Sequence, residues 1–109
     1  MHDLKWSTAE KRIARRAFER ALEREVTALI EEAKKRATRL STPNDLWALE
    51  RWLTDRHEEV RETFDFRYSV LPVVFAKLFD RRLLTEHDVE ELSREKVELI
   101  RRTAEIMGR

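Results

Sequence analysis

From Thr8 to Leu40 the chain contains neither Gly nor Pro, and its apolar residues are spaced for one long helix. Phe18, Leu22, Val26, Leu29, Ala33, Ala37 and Leu40 follow one another at intervals of three or four, the period at which residues line one helical face. At about 1.5 Å per residue such a helix is a rod of roughly 50 Å. A compact domain of 109 residues has a radius of gyration near ~13 Å, so the rod is too long for its own chain to cover. An apolar stripe on a protruding rod must be buried against something, and a second copy of the same chain is the simplest cover. The expectation is an all-α oligomeric interaction protein whose first helix, about residues 8–40, is a dimerisation arm.

Local punctuation divides the chain into four helices. Ser7 with Glu10 forms a Ser-x-x-Glu capping box that starts the first helix, each side chain satisfying the other residue's free backbone N–H. Leu40-Ser41-Thr42-Pro43 ends it and starts a second, with Thr42 as N-cap, Pro43 at the first helical position and Asp45 at the positive end of the helix dipole. The second helix carries Leu46, Leu49, Leu53 and Val60 to about Phe64, and a more apolar third carries Val70, Val73, Val74, Leu78 and Phe79. Pro72 lacks an N–H, so the third helix either begins near Ser69 or kinks. Thr85 with Asp88 caps a fourth helix presenting Val89, Leu92, Leu99, Ile100 and Met107, which Gly108 stops. No repeat or linker interrupts this order, so residues 1–109 read as one domain: a long arm and a compact helical head.

The residue inventory excludes more chemistry than it suggests. There is no cysteine and the only glycine is Gly108, which removes thiol chemistry, zinc knuckles and every glycine-rich phosphate loop. No N-terminal apolar core of signal-peptide length and no transmembrane-length apolar run occurs, so a cytoplasmic location without membrane contact is expected. His57-Glu58-Glu59-Val60-Arg61 imitates a helical zinc motif but puts Arg61, which cannot coordinate a metal, at the second ligand position. No carboxylate sits in an apolar run where burial would raise its pKa for acid–base work. We therefore expect no catalytic residue, no metal and no cofactor.

Charge is abundant yet nearly balanced. Residues 1–41 carry 11 Lys or Arg against 7 Asp or Glu, and residues 42–109 carry 12 against 15, so the two parts could attract one another or different partners. Lys11, Arg12, Arg15 and Arg16 could neutralise phosphates. The acids Glu19, Glu23 and Glu25 follow at once, which ranks nucleic acid behind protein as a partner. Trp47 and Trp52 cannot share one helical face, and an exposed tryptophan is favoured at the centre of an interface.

Taken together, Trp6-Ser7-Thr8-Ala9-Glu10, Ala17-Phe18, Arg24-Glu25-Val26, Asp45-Leu46-Trp47-Ala48-Leu49, Ser69-Val70, Val74-Phe75-Ala76-Lys77-Leu78, and Lys96 with Ile100 resemble the cyanobacterial fluorescence recovery protein family. The resemblance spans nearly the whole chain in one register. It implies an all-helical, non-enzymatic, cofactor-free regulator that forms dimers through its long helices. Such a regulator binds the C-terminal domain of the photoactivated orange carotenoid protein, speeds its return to the orange form and ends phycobilisome quenching. By that likeness Leu46, Trp47, Leu49, Leu53 and His57 belong to the dimer interface, and Trp47, Glu50 and Arg51 to the partner-binding surface. Pairing of dimers into tetramers is left open. Where the family has a His-Asp pair after the tryptophan, this chain has Glu50-Arg51, and His57 replaces a downstream arginine. Such charge inversions at an interface also suit a second reading, the same helical dimer scaffold serving a different protein partner and having no role in photoprotection.

Overall fold

Three capping boxes frame the architecture. Ser7 Oγ accepts from the Glu10 N–H at 3.1 Å while Glu10 Oε1 accepts from the Ser7 N–H at 3.2 Å. Thr42 with Asp45 and Thr85 with Asp88 repeat the reciprocal arrangement, each satisfying helix-end donors that would otherwise lack partners. The structure, a computed structural model, describes residues 4–108. These contain α1 (Thr8–Thr38), α2 (Pro43–Thr63), α3 (Leu71–Asp80), α4 (Glu86–Val89) and α5 (Arg94–Met107).

The structure refines three sequence expectations. α1 stops at Thr38, with Arg39 as its cap, so Leu40 lies in the connection. The expected fourth helix is divided, because the backbone leaves helical hydrogen bonding after Val89 and Ser93 caps a new helix by accepting from the Lys96 N–H at 3.3 Å. Pro72 occupies the second position of α3, where a missing N–H breaks no intrahelical bond; it therefore begins the helix and does not kink it. Gly108 closes α5 by donating its N–H to the Ala104 carbonyl at an ordinary φ of −78°.

The second helix belongs to the arm and not to the head. After the 39–42 turn α2 runs back antiparallel to α1. Phe64, at its end, meets Phe18 with ring centroids 5.5 Å apart, and the Arg36 guanidinium lies 4.4 Å from the centre of the Trp52 ring. Leu22, Leu29 and Ala33 of α1 and Leu49, Trp52 and Val60 of α2 are half-buried along this hairpin. The head packs α3, α4 and α5 on the N-terminal half of α1. Its core holds Phe75, Leu71, Leu78, Ile100 and Val89, fully buried over Ala14, Ala17 and Ala21, whose small side chains let the head approach the α1 backbone closely. The resulting body measures 53 × 27 × 20 Å with a radius of gyration of 16.7 Å. That exceeds the ~13 Å of a compact chain, so the projecting arm inferred from residues 8–40 is present as a two-helix hairpin.

Candidate protein-interaction surface

α2 spans 21 residues without a single buried side chain. Its apolar residues divide by exposure: Leu49, Trp52 and Val60 are half-buried, whereas Leu46 and Leu53 are 47% and 46% exposed and Trp47 is 52% exposed. Val26 and Ile30 of α1 add exposures of 40% and 49% to the same hairpin. Large apolar side chains grouped this way make the hairpin the candidate interaction surface. The two tryptophans separate as their spacing required, Trp52 under Arg36 and Trp47 facing solvent.

Among the residues expected at the interface, Leu46, Trp47 and Leu53 lie open, Glu50, Arg51 and His57 are exposed beside them, and Leu49 faces inward. Trp47, Glu50 and Arg51 stand three and four residues apart and so form one continuous patch near the arm tip. Glu50, Arg51 and His57 have no ion-pair partner among the described residues, so the charges of Glu50 and Arg51 remain available. His57 has no metal-binding neighbours: no group of three or more His, Cys, Asp or Glu among the described residues could hold an ion. No described helix is long and apolar enough to cross a membrane.

Buried ion pairs, which the sequence reading did not anticipate, join the head to α1. The Asp88 side chain, 1% exposed, accepts from Arg24 Nη1 at 2.7 Å, from the Thr85 N–H at 2.8 Å and from Thr85 Oγ1 at 3.0 Å, with Arg20 Nη1 at 3.5 Å. Burial pushes this carboxyl up, but the Arg24 and Thr85 donors outweigh it and hold its pKa at about 2. Glu25, on the same helix as Arg24, accepts from Arg81 at 2.5 Å. At the other end of the head, buried Lys96 donates to the Lys5 carbonyl at 2.6 Å and to Glu10 at 3.1 Å, and stands 4.9 Å from the centre of the Trp6 ring. Burial raises the Glu10 pKa, yet the Ser93 and Ser7 N–H groups and Lys96 bring it below the usual carboxylate value. Neither Asp88 nor Glu10 is therefore poised to exchange protons near neutral pH. Each of these pairs joins residues more than fifty positions apart, which is why no local pattern revealed them.

Residues 6–104 match the sequence model of the photoprotection regulator fluorescence recovery protein. The chain belongs to the fluorescence recovery protein family. It is 30% identical over 101 residues to the Fluorescence recovery protein of Synechocystis, with 93% of each chain covered. The structure of the Fremyella diplosiphon Fluorescence Recovery Protein superimposes with a TM-score of 0.88 at 33% identity, over 93% of this chain and 99% of that one. The Synechocystis structure gives 0.88 at 30% identity over the same shares. The all-helical architecture implied by the resemblance is thus that of the family, whose named role is regulation of photoprotection.

Proposed function

We propose that this chain is a non-enzymatic cytoplasmic regulator that binds the C-terminal domain of photoactivated orange carotenoid protein and accelerates its return to the resting form, ending phycobilisome quenching. Membership of a photoprotection-regulator family supports the role. The observation that carries the reading is α2, a long helix with no buried residue and with Leu46, Trp47 and Leu53 about half exposed. We assign Leu46, Leu53, Val26 and Ile30 to a homodimer seam with His57 at its edge and Leu49 supporting it from beneath. Trp47, Glu50 and Arg51 we assign to the partner. The chain acts as one unit, without cofactor or metal.

The free charges of Glu50 and Arg51 beside Trp47 favour a second reading, the same dimer recognising another protein whose surface complements that pair. The dark recovery rate of photoactivated orange carotenoid protein, with and without this chain in slight excess, separates the two. Acceleration supports the first reading. An unchanged rate, with this chain verified as a folded dimer, rejects it in favour of the second.

A further inference from the structure

The head side of α1 carries a second surface, remote from Trp47 and unused by the arm. Lys11, Arg12, Arg15 and Arg16 line an open groove of about 490 Å³ with Thr8, Glu19 and Tyr68. Lys11 Nζ stands 5.3 Å from the centre of the Tyr68 ring and the Arg15 guanidinium 3.9 Å from that of Phe66. A guanidinium so close to a ring has its planar face covered and its N–H edge left for acceptors, a preorganised fork for carboxylate. Arg15 has only a long contact with Glu19, at 4.0 Å. Arg12 and Arg16, one helical turn apart, have no ion-pair partner among the described residues, and Glu10, two residues before Arg12, is engaged by Lys96. Four cations thus converge on one groove with a single weakly placed acid.

We propose that this groove is a docking site for a short acidic segment of a protein partner, read by the guanidinium edges of Arg12, Arg15 and Arg16 and the Lys11 ammonium. Three observations favour carboxylates over a nucleic acid. The ring faces of Phe66 and Tyr68, which bases would stack on, already face Arg15 and Lys11. The patch extends only about 8 Å along the helix axis, too short to track a phosphate backbone. Beyond it α1 turns acidic at Glu19 and Glu23, which repels a long polyanion. The surface is independent of the Trp47 patch and holds whether or not a carotenoid protein is the partner.

The test is fluorescence anisotropy of a labelled hexaglutamate peptide on the full chain at ~20 mM and ~150 mM salt, beside hexaglutamine and a hexathymidylate oligonucleotide. The Arg12→Gln/Arg16→Gln variant is compared with Lys35→Gln/Arg39→Gln, which makes the same charge change on the arm, all three proteins being matched by circular dichroism. The expected result is salt-sensitive binding of hexaglutamate only, weakened about tenfold or more by the groove variant and by less than about twofold in the arm variant, where only the net charge changes. Tighter binding of hexathymidylate, equal weakening in both variants, or no hexaglutamate binding at the lower salt would each overturn the proposal.

Discussion

Replacing Asp88 with Asn tests whether one carboxylate holds the head onto α1. Asn has nearly the same volume and keeps one carbonyl oxygen, but it has no charge to offer Arg24 and Arg20 and places an amide donor where the present partners are all donors. Breaking a buried ion pair costs about 3–5 kcal/mol. Here the two arginine side chains are 42% and 47% exposed and can rehydrate, so the loss falls below that range. A pKa lowered from 3.8 to about 2 gives an independent figure, about 2 kcal/mol. Because the folded-state pKa is depressed, this stabilisation is fully present above the unfolded-state value and is lost as pH falls through the folded one. The gap between wild type and Asp88→Asn is therefore about 2 kcal/mol at neutral pH and shrinks to roughly half by pH ~3. Urea unfolding followed by circular dichroism measures it, at one protomer concentration, since an oligomer's stability depends on concentration. A gap that stays constant with pH, or that is under about 0.5 kcal/mol at neutral pH, would refute the assignment of Asp88 as the clamp.

Leu46→Glu places a charge in the proposed seam and should convert dimers to monomers, read as a halved mass by light scattering; an unchanged mass removes Leu46 from the seam. Trp47→Ala removes a ring that is 52% exposed, so the helical circular dichroism should persist while partner binding weakens by about 2 kcal/mol or more, as for an interface hot spot. Unfolding of that variant would instead make Trp47 a core residue of the dimer. Phe75→Ala empties the centre of the head, where the ring is fully buried, and should cost about 3–5 kcal/mol, a large share of the roughly 5–15 kcal/mol available to a domain. A chemical-denaturation midpoint close to that of the unaltered protein would show that the head is not the cooperative core.

What could be read from the sequence divides by the range of the interaction involved. The caps at Ser7, Thr42 and Thr85 act over three residues and were legible as spelled, although the return bond from Asp45 to the Thr42 N–H was not. Ser93 also caps a helix, but its third position holds Lys96, which cannot complete the reciprocal bond, and the break before α5 was missed with it. The side of the hairpin on which α2 lies was not legible, because an amphipathic helix states which face it buries and not against what. Contacts of Phe64 and Phe66 with Phe18, some forty-six residues or more away, decide that. The ion pairs of Asp88, Glu25 and Lys96 were not legible for the same reason, since the groups they reach across the fold lie 56 to 91 residues distant. The interaction surface was legible by subtraction: a helix too long for its own chain, and a second tryptophan on the wrong face to share the first one's burial, both imply a cover from outside. Identifying that cover depends on Glu50, Arg51 and His57, polar side chains without an ion-pair partner among the described residues. Charge complementarity between molecules is the term that sets partner choice once apolar burial has set the scaffold, so exchanging those three residues should redirect recognition while leaving the fold intact.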